Sequence, residues 1–212
     1  MTYYSQIEQD KYFIENISKG RRNGVFLDIG ANDGLFGSNT ATLELEYGWT
    51  GLCIEANPTL IESLRTNRPG STIVNKAVWT GPGQVNIEVP DHFKKQDPPD
   101  QLGRIAGLER NAKSFKKFFD KGFKTYTVES DTATNIVSQS LGTPIVIDYM
   151  SLDTEGAEIE ALQSIDFNLI DIKFMTVEHG NRKGYKNIFA DYLKQFGYEV
   201  HRINQWDIEF TK

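Results

Sequence analysis

The stretch Val25 to Thr40, VFLDIGANDGLFGSNT, joins an apolar run to a carboxylate, Asp28, and then to a loop with Gly30 and Gly34 on either side of Asn32. A glycine-rich turn from strand to helix offers free backbone N–H groups and lets a ligand come close to the main chain. Phosphate is the commonest guest of such loops. Here the spacing Asp28-x-Gly30-x-Asn32-x-Gly34 has no Lys-Ser/Thr for a P-loop, and Gly34 falls one residue early for the dinucleotide fingerprint. Asp28 repels a pyrophosphate and attracts a cation, such as the ammonium of an amino acid. Glu55 closes the next apolar run, GLCIE, 21 residues after Gly34, where an acid is placed to accept both hydroxyls of a ribose. The implied ligand has a ribose and an ammonium and no phosphate. S-adenosylmethionine fits that description, and its sulfonium adds a positive charge that acids around the loop tolerate. On this reading the cofactor site comprises Asp28, Gly30, Ala31, Asn32, Asp33, Gly34, Ser38 and Asn39 of the first loop. Glu55, Ala56 and Asn57 of the second loop and Ala77 further on complete it.

A second group of reactive side chains lies later in the chain. LDTEGAEIEAL places Asp153 at a strand end, Glu155 at the start of the following helix and Glu158 one turn on, while TVEHGN ends another strand with Glu178 and His179. Methyl transfer from a sulfonium needs an acceptor in line with the S–CH3 bond and a group to take its proton. Asp153 and His179 are the natural bases, and Glu178 joins them in the expected catalytic set. Of the three histidines, His92 falls in a loop and His201 near the C-terminal strand, so His179 alone is expected at the reactive edge. Two structural alternatives stand beside these roles. His179 can be an imidazole bonded to backbone at a strand end, and Asp153 with Glu155 can cap the helix that follows. Asp153, Glu178, His179 and Asn181 also offer oxygen and nitrogen ligands to Mg2+ or a related divalent ion, although no tight ligand spacing demands one.

These residues need a scaffold that gathers strand ends. Apolar runs and helix-period segments alternate: Tyr3–Ser18 helical, Gly24–Ile29 strand, Ser38–Tyr47 helical, Gly51–Ile54 strand, Thr59–Thr66 helical, Thr72–Val78 strand. This is the βαβαβ pattern of a parallel sheet. Gln84–Val89 then alternates like an edge strand, and PDHFKKQDPPDQ, Pro90 to Gln101, reads as a mobile loop. Arg104–Asp120 regains helical period, and Lys124–Glu129 is another short strand. Between Asp91 and Lys124 nine Lys or Arg face five Asp or Glu, a basic insert in a chain of net charge −6. Thr132–Leu141 reads as a helix, Pro144–Leu152 and Ile172–Val177 as strands, Ile188–Gly197 as a helix, and Tyr198–Ile203 as the strand that closes the domain.

The 212 residues, 25% charged and 39% hydrophobic, suit one domain with a basic loop-helix insert at about 91–122. The net negative charge argues against nucleic acid as partner. No stretch reaches the ~20 apolar residues of a membrane span, the N-terminus has no signal-peptide pattern, and the one cysteine, Cys53, reads as a buried inert thiol. The expectation is a soluble, cytoplasmic, uncleaved chain with no membrane partner.

In order, SQIEQDKYF, FLDIGANDGLFGSNT, GWTGLCIEANP, IDYMSLDTEGAEIEAL and FMTVEHGN resemble the motifs of the FkbM family of S-adenosylmethionine-dependent methyltransferases. The resemblance runs from about Ser5 to Asn181, and only the insert at Asp91–Lys121 falls outside it. It implies a Rossmann-like class I methyltransferase fold, an α/β domain with a mostly parallel seven-stranded sheet flanked by helices. It also implies O-methylation of a hydroxyl on a sugar, glycan or secondary metabolite, so the expected partner is a small-molecule or glycan acceptor. The basic insert adds the expectation that the acceptor is anionic. The competing readings are a NAD-dependent oxidoreductase, which the ammonium argument at Asp28 and Glu55 disfavours, and a non-catalytic binding domain that keeps the fold.

Overall fold

A computed structural model describes residues 2–90, 103–108, 120 and 122–212. Seven strands build the main sheet: β1 (Val25–Ile29), β2 (Thr50–Ile54), β3 (Thr72–Val74), β4 (Tyr149–Leu152), β5 (Phe174–Glu178), β6 (Glu199–Ile203) and β7 (Asp207–Thr211). Their spatial order is β6-β7-β5-β4-β1-β2-β3. Every pairing is parallel except those of β7, which runs antiparallel to both β5 and β6. The mostly parallel, Rossmann-like sheet is as expected. The chain does not close on Tyr198–Ile203, however, because β7 returns and inserts between β6 and β5.

Side chains alternate across a strand, so each strand feeds two cores. Phe26, Cys53, Tyr149 and Phe174 pack with Phe13, Leu43, Trp49 and Leu64 on one face of the sheet. Leu27, Leu52, Met150 and Met175 pack with Ile136, Ala161, Leu162 and Phe189 on the other. The first face is covered by the segment Gln9–Ile17 and the helices Ala41–Tyr47 and Ile61–Asn67, the second by the helices Ala133–Leu141, Glu158–Gln163 and Tyr185–Lys194. Burial on both faces is why the strands read as continuous apolar runs. Cys53 is fully buried, and burial pushes its thiol up to about 12, so it is chemically quiet at neutral pH.

Several expected elements are divided. Thr72–Val78 breaks after Val74, where the Asn75 side chain donates to the carbonyls of Glu55 and Ala56. Ala77–Val78 then joins a second, four-stranded sheet with Phe123–Asp131, Gly83–Pro90 and Arg104–Ile105. The expected strands Pro144–Leu152 and Ile172–Val177 break at Asp148 and Lys173; Ile145–Ile147 and Ile170–Ile172, the latter starting ahead of the expected run, pair as a separate parallel ribbon. At the N-terminus helix begins only at Gln9, because the buried Asp10 carboxylate draws the N–H groups of Tyr4 and Ser5 back onto itself. Arg104 and Ile105, expected to open a helix, pair with Glu88 and Ile87 as strand instead. The loop expected at 90–101 lies outside the described residues beyond Pro90, as does the body of the basic helix at 109–119. Among the described residues no helix is long and apolar enough to cross a membrane.

The sheet's order reverses at β1, which has β2 on one side and β4 on the other. Loops leaving the carboxyl ends of β1 and β4 diverge there, opening the crevice where α/β sheets bind ligands.

Candidate active site

Gly30 is required by the scaffold before any ligand is considered. Its φ is +86°, and a Cβ at that position would lie 1.6 Å from the carbonyl oxygen of Asp153 at the end of β4. Only glycine lets the two strand ends close to this distance. Its N–H and that of Ala31 both donate to the Ile54 carbonyl, which fastens the loop to the end of β2.

Two clefts open around this loop. The first, about 690 Å3 with its open mouth, has apolar walls that include Ala56, Leu60, Val78 and Ile105, and Glu55 lies at its edge. Gly30, Asn32, Asn57 and Ala77 of the expected cofactor set line it too. The Glu55 carboxylate is fixed by main chain, its Oε2 accepting from Asn32 N at 2.8 Å and its Oε1 from Asn57 N at 2.7 Å. Burial raises its pKa while these N–H groups oppose the rise. A carboxylate has about four acceptor directions, so lone pairs remain for a diol.

The second cleft, about 550 Å3, is polar and lies across the loop, with Asp28, Ala31, Ser38, Asn39 and Ser151 in its lining. Gly30, Asn32, Asp153 and Glu155 line both clefts. Asp33 and Gly34 line neither. Asp33 Oδ1 accepts the N–H groups of Leu35 and Phe36 at 2.9 Å each, and Gly34 packs on Arg68, whose Cγ would be 2.6 Å from a Cβ there. Asp28, expected to face the ligand's ammonium, is already engaged with the protein. Its Oδ2 accepts from Thr40 Oγ1 at 2.5 Å and lies 3.7 Å from Arg68 Nη1. Burial raises the Asp28 pKa, and Arg68 and Thr40 oppose that. Arg68 is fully buried, donates from Nε to Glu44 at 2.7 Å and reaches the Gly34 carbonyl, so it holds the loop from beneath. Nothing local in NRPG marks this arginine as buried.

Among the described residues the buried oxygens Asn39 Oδ1 and Asp153 Oδ1 have no hydrogen-bond donor. Unmet buried acceptors are costly, and both belong to the polar cleft, where a bound ligand can supply the missing donors. A diol acceptor beside apolar walls, with two unmet acceptors across the loop, fits S-adenosylmethionine laid over Gly30.

At the ends of β4 and β5 the carboxylates of Asp153, Glu155 and Glu178 bring oxygens within 4.8 Å of one another. Burial, then the charges of Glu158 and Asp207, lift Asp153 to about 7 against the pull of Arg182. Glu155 and Glu178 are held well above the usual carboxylate range, first by burial and then by Asp153. Glu155 also sits at φ +55°, a left-handed conformation uncommon for a side chain without local hydrogen-bonding habit. Helix capping is the work of neither Asp153 nor Glu155. Glu158 Oε1 accepts the N–H groups of Thr154 and Gly156, and its other oxygen pairs with Arg182 at 2.8 Å. Arg182, absent from the sequence-based set, also pairs with Glu178 at 2.9 Å and so ties both strand ends together.

His179 reaches this edge but turns away from it. The ring is fully buried, Nδ1 accepts from Asn181 N at 2.9 Å, and Nε2 faces the Asn204 carbonyl at 3.4 Å. With Nδ1 accepting, the proton sits on Nε2, and burial lowers the pKa. An imidazole with both nitrogens used inside the β5 and β6–β7 turns has no free lone pair for a substrate proton, which corrects its expected role as base. Of the residues expected as metal ligands, Asp153 and Glu178 fall in this carboxylate group with Glu155 beside them, while His179 Nδ1 is engaged by Asn181 N.

Similar folds occur in solved methyltransferases. A TehB-like SAM-dependent methyltransferase from Corynebacterium glutamicum is 13% identical with a TM-score of 0.47, the match covering 98% of this chain and 89% of that one. A precorrin-6y C5,15-methyltransferase from Geobacter metallireducens is 11% identical with a TM-score of 0.47, covering 91% and 82%. The METTL16 methyltransferase domain is 11% identical with a TM-score of 0.49, covering 97% and 83%. No curated protein matches the chain significantly. The profile of the methyltransferase FkbM domain matches residues 28–200, most of the sequence, and the chain therefore belongs to that family of methyltransferases, with S-adenosylmethionine as its cofactor.

Proposed function

We propose that the protein transfers the methyl group to a hydroxyl oxygen of a small-molecule or glycan acceptor, with Asp153 taking the hydroxyl proton. The observation that carries this reading is the Asp153 carboxylate, with a pKa of about 7, an oxygen that has no donor, and a place in the lining of both clefts. A general base works best when its pKa lies near the operating pH. Bound over Gly30, the cofactor supplies a methyl group on a positively charged sulfonium. The chain's part is to hold the ribose at Glu55, to satisfy the amino-acid end at Asn39 and the loop, and to accept a proton at Asp153. Burial and the charges of Glu158 and Asp207 keep Asp153 basic, and Arg182 keeps Glu178 in place.

Asp153→Asn is nearly isosteric and removes the base. It should lower methyl transfer by about a hundred- to ten-thousand-fold while S-adenosylhomocysteine affinity changes little. The product's new methyl group, located by NMR, should be on oxygen. Methylation on nitrogen or carbon, or full turnover in Asp153→Asn, contradicts the reading.

A further inference from the structure

The polar cleft has two different ends. Gly30, Asn32, Asp153 and Glu155 join it to the apolar cleft, whereas Gln6, Phe36 and Gly37 join it to an open groove beside the N-terminal segment. An adenosine on Glu55 leaves the polar cleft to the amino-acid end of the cofactor. That end carries an ammonium and a carboxylate, which need opposite partners. The acids Asp28, Asp153 and Glu155 in the lining attract the first and repel the second. The carboxylate therefore needs an N–H donor away from Asp153 and Glu155, at the end where Gln6 lies. Asn39 Nδ2 is already given to Ser151 Oγ at 3.1 Å. Gln6 differs, since among the described residues its amide has no hydrogen-bond partner.

The Gln6 side chain is exposed, yet its place is fixed. It lies on Gly37, which sits at φ +66° and where a Cβ would be 3.1 Å from Gln6 Cγ and 3.2 Å from Nε2. Both chain neighbours are pinned. Ser5 bridges Gly37 in a parallel β-bridge, and its N–H and hydroxyl donate to the wholly buried Asp10 at 3.4 and 2.5 Å. Ile7 N donates to Gln9 Oε1 at 2.9 Å, and Gln9 Nε2 in turn donates to Asp207 at 2.8 Å. Two buried polar side chains, Gln9 and Asp10, thus hold one exposed amide at the mouth of the cleft. A donor fixed in advance loses little freedom when a ligand arrives.

We propose that Gln6 is a cofactor-binding residue whose amide N–H donates to the carboxylate of S-adenosylmethionine. The segment ahead of β1 then belongs to the cofactor site and is more than a cover for the sheet. This assignment depends on the cofactor and not on which atom receives the methyl group.

The test is calorimetric titration of the full chain with S-adenosylhomocysteine and with its propylamine analogue, which keeps the adenosine, thioether and ammonium and lacks the carboxylate. Gln6→Ala should weaken S-adenosylhomocysteine about tenfold and leave the analogue within about twofold. Gln6→Glu sets a like charge against the carboxylate and should weaken S-adenosylhomocysteine further. Unchanged S-adenosylhomocysteine affinity in Gln6→Ala overturns the assignment, as do equal losses for the two ligands, which would place the effect in the loop. Tighter S-adenosylhomocysteine binding in Gln6→Glu also overturns it, because the ammonium would then be the group at Gln6.

Discussion

Asp153 is where the chemistry of single residues concentrates. Its pKa of about 7 comes first from burial and then from the acids Glu158 and Asp207, with Arg182 opposing. A base of this kind is protonated and idle below pH 7, so turnover should climb as pH rises through about 7 and level off above it, a profile that Asp153→Asn should flatten. The same shift acts on stability with a definite sign. Unfolded, the group has a pKa of about 3.9, so between that value and 7 the folded protein holds a proton the unfolded chain has lost. This contribution is complete below the unfolded pKa and is lost as pH rises through 7, and the melting temperature should fall across that range. The carboxylates of Asp153, Glu155 and Glu178 can share protons in this way or share a divalent ion, and EDTA separates the two. Activity that survives EDTA supports the proton reading, and activity lost to EDTA and regained with Mg2+ supports the ion.

At the scale of elements, the loop after β1 is the joint on which the site depends, and its glycines have different reasons. Gly30→Ala would drive a Cβ into the Asp153 carbonyl 1.6 Å away, so β1 and β4 could no longer close. We expect it to destabilise the fold by about 3 kcal/mol or more and to abolish S-adenosylhomocysteine binding, checked by thermal unfolding and titration. An alanine variant with wild-type melting would show that the loop relaxes more easily than this contact allows. This joint was half legible in the sequence. Apolar runs ending in Asp28 and Glu55 mark β1 and β2 because central parallel strands are buried on both faces, and a strand-end acid stands out against them. Glu55 stands at the end of β2 and lines the apolar-walled cleft. Asp28 does not face its ligand freely, because its partner Arg68 comes from 40 positions away, and pairing at that distance leaves no local signal. The two engaged nitrogens of His179 and the cap at Glu158 were hidden for a similar reason, since each depends on a turn whose path the residue types do not dictate. The strand β7 has a faint sequence signal although DIEFT alternates, because a five-residue run holds little pattern to weigh.

Across the whole molecule, the cofactor and reacting groups divide between the two sides of β1. Glu55 follows β2 and Asp153 follows β4, on either side of β1, while β5 and Arg182 brace the far side. The N-terminal segment completes this edge, with Gln9 donating to Asp207 of β7 at 2.8 Å. The basic insert, from which an anionic acceptor was expected, contributes one described arginine near the site, Arg104, and it pairs with Glu88 at 2.7 Å. Lys94, Lys95, Arg110, Lys113, Lys116 and Lys117 lie outside the described residues. The placement to be tested is S-adenosylmethionine in the cleft between the ends of β1, β2 and β4 with its ribose on Glu55. Calorimetric titration of the wild type and Glu55→Ala with S-adenosylhomocysteine, alongside NAD, tests it most directly. One saturable S-adenosylhomocysteine site, no heat from NAD, and a loss of about ten- to a hundred-fold in affinity on removing the Glu55 carboxylate are expected. Binding of NAD in preference, or an S-adenosylhomocysteine affinity that Glu55→Ala leaves unchanged, would contradict it.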